Sequence, residues 1–405
     1  MYRDEVARRI LLLGAGFFVA GEIVPRLSHG TVAHQMVGFE ILSDPFFSSA
    51  ALGIYLLYLA QRPPAAQALV VSLLGLGAEG GLYLLRGPGQ AHPAWFLGGG
   101  MGLVALLGFG WLGRSQPESL RVMETALMCP WVLVMTAWMQ TVTTAGHPQV
   151  YDLYGWAIDR AWGFEPSAWM SDLVMSRPWL DAIVQGVYNL LPTFVTLAAY
   201  LSVRHKGKCY TAPVATVCVV GLCGLLTYWI FPMVGPGPLF GEGFAAAMDA
   251  AGPLRLIDAP STLLRNCMPS LHTAWIVTLY WIVRGVSQRV RVLGFVLVVI
   301  TLMATLSVGG HYLVDLVVSI PMSAAIMGLT AKAYPGNGKA RWMALGVGGG
   351  LTALALAALH TVPGFLAQSH GLVAAAEVVF VATGLWLEHR LFRASGDWPS
   401  SMLSR

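Results

Sequence analysis

Two short segments carry side chains whose types and spacing could do chemistry: Asn266-Cys267-Met268-Pro269-Ser270-Leu271-His272-Thr273 and Gly309-Gly310-His311-Tyr312-Leu313-Val314-Asp315. His311 and Asp315 are four apart, which on a helix puts them on one face, with the carboxylate in reach of an imidazole N–H. Such a bond fixes the tautomer, so the second ring nitrogen carries its lone pair outward and is able to attack phosphorus. His272 could then give a proton to the leaving alkoxide and, once neutral, take one from water or an acceptor alcohol in a second half-reaction. Two other readings compete. Each histidine could be satisfied by a loop carbonyl, or a His-x3-Asp pair with another His could hold a metal ion. An aspartate near the start of an apolar stretch weighs towards function, because an intramembrane carboxylate costs roughly 2.5–3.5 kcal/mol on insertion scales.

The elements that must position these groups are apolar. Of 405 residues, 56% are hydrophobic and 11% charged, against about 25% charged in an ordinary soluble domain. Candidate membrane spans lie near 8–24, 45–61, 66–85, 96–113, 122–140, 182–203, 212–232, 270–285, 290–307, 312–331, 341–361 and 370–388. The fold class expected is therefore all-α, a polytopic transmembrane bundle of about twelve spans. On that count eighteen of the twenty-four Lys and Arg residues fall on one side, which places both termini in the cytoplasm and both histidine segments at the exterior boundary, periplasmic or lumenal. The net charge of +4 is small and scattered, so a nucleic-acid surface is excluded as a reading. The five cysteines form no CxxC pair and read as packing residues. Two long exterior connections, about 141–181 and 233–269, are rich in Trp, Pro, Gly and acidic residues. In the first, Trp156, Trp162, Trp169 and Trp179 suit amphipathic surface segments or an aromatic belt. Glu79 and Glu377 fall inside apolar spans, as members of a polar cavity or as structural partners. Gly348-Gly349-Gly350 reads as a site of close helix packing.

Pro269-Ser270-Leu271-His272 and His311-Tyr312-Leu313-Val314-Asp315 resemble motifs of the type-2 phosphatidic acid phosphatase superfamily, in particular the branch of inositol phosphorylceramide synthases and sphingomyelin synthases. Tyr228 with Pro232-Met233-Val234-Gly235-Pro236 is similar to a further segment of that branch. The resemblance covers roughly residues 119–335 and implies a six-helix catalytic core there, with accessory transmembrane helices in 1–118 and two more, plus a cytoplasmic tail, in 336–405. It implies that His311 is the nucleophile forming a phosphohistidine, Asp315 its orienting carboxylate and His272 the general acid/base. The chain departs from the wider superfamily at Ala304-Thr305, where many phosphatases place Ser-Arg, and of a Lys-x6-Arg-Pro motif only Arg177-Pro178 stands. A phosphoryl group needs cationic or N–H donors. The candidates are Arg265, favoured by its closeness to His272, with Arg177, Arg255 and the helix N-terminus at Ser270.

The expectation is an integral membrane phosphotransferase acting on a lipid through a phosphohistidine, moving a phospholipid headgroup to a lipid alcohol such as a ceramide-like acceptor. A lipid-phosphate phosphatase using water is the alternative, and a twelve-span transporter a further one. Neither a metal nor another cofactor is expected; the expected partner is the membrane lipid itself.

Overall fold

The computed structural model describes residues 45–86, 98–205, 213–241, 243–331 and 337–396. The first candidate span, 8–24, lies outside them. In chain order the helices are α1 (Pro45–Ala60), α2 (Ala65–Arg86), α3 (Gly99–Leu112), α4 (Glu118–Gly146), α5 (Asp152–Asp159), α6 (Pro166–Met175), α7 (Pro178–Asn189), α8 (Leu191–Arg204) and α9 (Pro213–Ile230). They continue with α10 (Pro236–Phe240), α11 (Phe244–Ala250), α12 (Leu271–Val283), α13 (Gln288–Ser307), α14 (Leu313–Thr330), α15 (Gly338–Met343), α16 (Gly349–Thr361), α17 (Pro363–Gln368) and α18 (His370–Gly396). The all-α expectation holds, and helix occupies every candidate span within the described residues.

Length separates these helices. Six of the described ones are long and apolar enough to cross a membrane: Ala65–Leu85, Glu118–Gly146, Gln288–Ser307, Leu313–Thr330, Gly338–Thr361 and His370–Ala394. The pair Pro178–Asn189 and Leu191–Ser202 makes a seventh if counted as one broken span. Pro45–Ala60, Gly99–Leu112, Ala215–Ile230 and Leu271–Val283 are apolar but shorter, below the ~20 residues that cover a hydrocarbon core. Hydropathy found these stretches without measuring how far helix continues in each.

The chain divides into two compact units, Met1–Met139 with Asn189–Arg204, and Gln140–Tyr188 with His205–Arg405. In the first, Leu57, Tyr58, Phe109 and Leu112 form a fully buried core. A Cβ on Gly102 would stand 2.3 Å from the Ala51 carbonyl oxygen, so α1 and α3 meet backbone to backbone, the close approach small residues permit. Glu79 Oε2 accepts the Gly98 and Gly100 N–H groups at 3.1 and 2.8 Å. It caps α3, where a carboxylate meets otherwise unpaired donors and the positive end of the helix dipole; of the two readings open for Glu79, the structural one applies.

In the second unit α14 is enclosed by neighbours, while α13 and α18 each leave much of their surface outward. Small residues make that enclosure possible: a Cβ on Gly348 would meet the Pro321 carbonyl oxygen at 2.6 Å, the packing role expected of this glycine. Serines stitch α12 to α14. Ser319 Oγ donates to the Ser270 and Asp315 carbonyls at 2.9 and 2.7 Å, and Ser270 N–H donates to Asp315 O at 3.2 Å. The two long connections are joined by a two-stranded antiparallel ladder, β1 (Gln149–Val150) on β2 (Ile257–Asp258), with Gln149 opposite Asp258. Above α14 they carry a core of Leu153, Trp156, Phe231, Met233, Phe244 and Tyr312.

Candidate active site

Ser270 starts α12, its hydroxyl accepting the Thr273 N–H at 3.2 Å, and so sets His272 in the first turn. The preceding irregular segment brings Cys267, whose thiol lies 3.3 Å from the Gly310 carbonyl, against the segment Gly309-Gly310-His311 that leads into α14. His311 stands two residues before the start of α14 and Asp315 in its first turn, both buried. The rings of His272 and His311 approach edge to face with centroids 5.9 Å apart. Two imidazoles, one in the first turn of α12 and one just before α14, thus converge with one carboxylate within a single unit.

What braces His311 differs from the sequence expectation. His311 Nδ1 lies 2.9 Å from the Cys267 carbonyl oxygen and 3.4 Å from Asp315 Oδ2. A carbonyl only accepts, so Nδ1 carries the proton and Nε2 the lone pair. The backbone of Cys267 is the nearer brace and Asp315 the second. Asp315 Oδ2 also accepts Tyr312 N–H at 2.8 Å and the Cys267 thiol at 2.6 Å. Burial, with Asp315 beside it, pushes the Cys267 thiol well above its ordinary value, so the sulfur keeps the proton it donates. Cys267 is part of the constellation, beyond the packing role its apolar surroundings suggest.

His272 has a partner of its own. Tyr188 stacks on it, centroids 4.3 Å apart and planes 22° off parallel, with the phenol oxygen 3.3 Å from Nδ1. A phenol oxygen accepting from Nδ1–H lets an imidazolium at His272 give up its Nε2 proton and remain as a neutral ring held by the phenol.

The start of α14 is closed by acidic side chains. Asp159 accepts Leu313 N–H at 2.6 Å and Val314 N–H at 3.0 Å. Asp152, one face and two turns away on α5, accepts Val234 N–H at 3.1 Å, Gly235 N–H at 2.8 Å and the Tyr312 hydroxyl at 3.0 Å. Burial pushes Asp159 well above the carboxylate range, with Glu377 adding to it, and raises Asp152 to about 6. The Tyr312, Leu313 and Val314 N–H groups are all taken by carboxylates, so the donors of this helix end are already engaged.

The expected phosphate-binding residues are not brought to the histidines by their hydrogen bonds. Arg265 is fully buried and its guanidinium donates to the carbonyls of His147 (2.9 Å), Pro260 (2.7 Å), Ala259 (2.8 Å), Pro148 (3.5 Å) and Leu263. That makes it a clamp across both long connections, its guanidinium engaged by loop carbonyls. Exposed Arg177 donates to Leu173 O at 2.6 Å and Ser176 Oγ at 3.1 Å; exposed Arg255 donates to Ala251 O at 2.9 Å and Pro253 O at 3.2 Å. The Ser270 hydroxyl is spent on Thr273, in the helix cap.

Of the indoles, Trp156 is in the core and Trp162 donates to Glu377 Oε2, while Trp169 and Trp179 are exposed on α6 and α7. Cys267, His311 and Asp315 offer ligand atoms all within 4.8 Å of one another, a spacing able to hold a metal ion. The third member is thus a thiol, where the sequence-based metal reading had a second His. The same atoms are linked by hydrogen bonds, Sγ–H to Oδ2 and Nδ1–H to a carbonyl.

Sequence reasoning missed Cys267, Tyr188, Asp152 and Asp159. The seven-residue spacing of the two aspartates on one helical face was a signal available in the sequence; the contact of Tyr188 with His272 joins segments 84 residues apart and had none. A search of the curated proteins and one of the solved structures each return no match. Residues 155–329, a stretch that includes His272, His311 and Asp315, match the family model of the PAP2 superfamily, a family of phosphatases and phosphotransferases.

Proposed function

We propose that this chain is a membrane phosphotransferase that takes a phosphoryl group from a lipid through His311. One observation carries the reading: two imidazoles converge, and one of them has its Nδ1 proton committed to a carbonyl, so that its Nε2 is a nucleophile. The PAP2 match and the apolar helices support a lipid-phosphatase-type enzyme of the membrane. Because the polar groups cluster at one end of α12 and α14, a boundary site for a headgroup is favoured over the mid-membrane site of a transporter.

In the first half-reaction the His311 Nε2 lone pair forms an N–P bond, the P–O bond to the lipid breaks, and the leaving oxygen takes the His272 proton. In the second, an incoming hydroxyl gives its proton to His272 and attacks phosphorus, the N–P bond breaks, and His311 is restored. Asp315 stabilises the positive charge that develops on the imidazole ring. The resemblance of the Pro-Ser-Leu-His and His-Tyr-x-x-Asp segments to headgroup-transferring enzymes favours a lipid alcohol, ceramide-like, as acceptor; water in the same position gives the phosphatase reaction. On the twelve-span reading of the sequence, whose charge asymmetry puts both termini in the cytoplasm, the site opens on the exterior leaflet.

The test uses purified full-length protein in mixed micelles with fluorescently labelled phosphatidic acid, or with phosphatidylcholine, phosphatidylethanolamine or phosphatidylinositol plus labelled ceramide. Transfer yields a new labelled phospholipid, and hydrolysis yields diacylglycerol. His311→Ala should abolish turnover in a folded, monodisperse protein. Turnover that survives this substitution removes the phosphohistidine mechanism.

A further inference from the structure

The segment that delivers His311 is held by a part of the chain remote in sequence. The position of His311 follows from where residues 309–314 run. On one side of it, the Gly310 carbonyl closes against Gly235, where a Cβ would stand 2.5 Å away, and Gly237 N–H donates to Gly309 O at 2.8 Å. On the other side, Tyr312, Leu313 and Val314 enter α14. Helix α5 reaches both sides. Asp152 grips the Val234 and Gly235 N–H groups and the Tyr312 hydroxyl together, and Asp159 grips the Leu313 and Val314 N–H groups. Both side chains are fully buried.

Two features make this more than packing. Seven residues is two helical turns, so the two carboxylates point from one face of α5. Between them Gly155 lets Tyr312 lie directly on the helix: a Cβ there would be 3.1 Å from Tyr312 Cδ2 and 2.3 Å from Met233 Cε. A carboxyl oxygen that accepts from an otherwise unpaired N–H is also a more directional hold than an apolar contact. Five donors on two separate segments, 234–235 and 312–314, are thereby referred to one rigid element.

We propose that Asp152 and Asp159 are positioning residues for phosphoryl transfer, setting the approach of His311 Nε2 to phosphorus by fixing the chain immediately before and after that histidine. The inference rests on the reading of His311 as nucleophile. Neither aspartate exchanges a proton or a bond with substrate. Their removal lets the entry into α14 drift, and a misplacement of ~1 Å at a reacting atom lowers turnover by about 100-fold while leaving binding of the lipid largely intact.

The experiment measures kcat and KM of Asp152→Asn, Asp159→Asn, Asp159→Ala and Tyr312→Phe on whichever lipid of the panel above the wild type turns over fastest, with His311→Ala alongside. The Asn variants keep volume and one acceptor oxygen, and Tyr312→Phe removes a single hydroxyl, so folded protein is obtained for comparison. The expected result is a kcat loss of about 10- to 100-fold with KM within about threefold, graded Ala below Asn below Asp at position 159. Asn at 152 keeps the oxygen shared by Gly235 N–H and the Tyr312 hydroxyl and loses the acceptor of Val234 N–H, so Asp152→Asn and Tyr312→Phe cut different bonds and together should cost more than either alone. Wild-type kcat in both Asn variants, or a loss confined to KM, overturns the positioning role while a dead His311→Ala leaves the nucleophile reading intact. Activity in His311→Ala, or none in the wild type on any lipid, overturns both.

Discussion

Replacing Arg265 with methionine separates two roles that its place in the sequence allows. Methionine keeps the length of the side chain and removes every donor. Five carbonyls, those of His147, Pro148, Ala259, Pro260 and Leu263, then lose a charged partner inside the protein. A hydrogen bond to a charged group contributes about 1.5–3 kcal/mol, but the loops relax and water reaches some of the acceptors, so the total stays near the ~4–5 kcal/mol that marks the severest single substitutions. At about 2–4 °C per kcal/mol for a unit of this size, the melting temperature should fall by about 8–20 °C. Scanning fluorimetry of the detergent-solubilised protein reads the shift, and KM for the lipid, measured well below the new melting point, should stay within about twofold of wild type because no phosphate contact is lost. Arg265→Lys, with a point charge in place of the fork, should recover part of the stability. An unchanged melting temperature together with a KM raised about tenfold or more would refute the clamp and return Arg265 to the phosphate.

Gly235 has φ of 100° and no room for a Cβ against the Gly310 carbonyl; Gly235→Ala should lose on the order of 1–3 kcal/mol in thermal unfolding and lower kcat as well, and wild-type values for both would show that the loop yields at no cost. Asp152, raised by burial from 3.8 to about 6, binds its proton more tightly in the folded than in the unfolded chain. Its contribution to stability is therefore largest below pH ~4, falls as pH rises to ~6 and is flat above, a change on the order of 2–3 kcal/mol. The difference in melting temperature between wild type and Asp152→Asn should follow that curve; a pH-independent difference would contradict it.

The helical architecture and the pairing of the two histidine motifs were legible because they rest on local signals: apolar runs of span length, and residues four apart. The helical period named the right partner for a different reason, since His311 stands before α14 and Asp315 reaches back to it from the first turn. The identity of the brace was not legible, since the Cys267 carbonyl is a backbone group 44 residues distant and a sequence displays no carbonyls. The partners of Arg265 were hidden for a related reason. Its closeness to His272 in the chain is real, but the bonds that decide its role go to loop carbonyls that only the fold gathers. Glu79 and Glu377, equally open between function and structure, take their meaning from one partner each among the bonds described, the α3 N-terminus and the Trp162 indole.

The seam of Ser270 and Ser319 has a consequence for how a bilayer acts on this protein. The Ser319 hydroxyl and the Ser270 amide each tie one helix to a carbonyl at the foot of the other, so proton donor and nucleophile travel together when the surrounding lipid thickens, thins or shears. Such deformations change how readily a headgroup reaches the two rings, and leave the spacing between the rings themselves untouched.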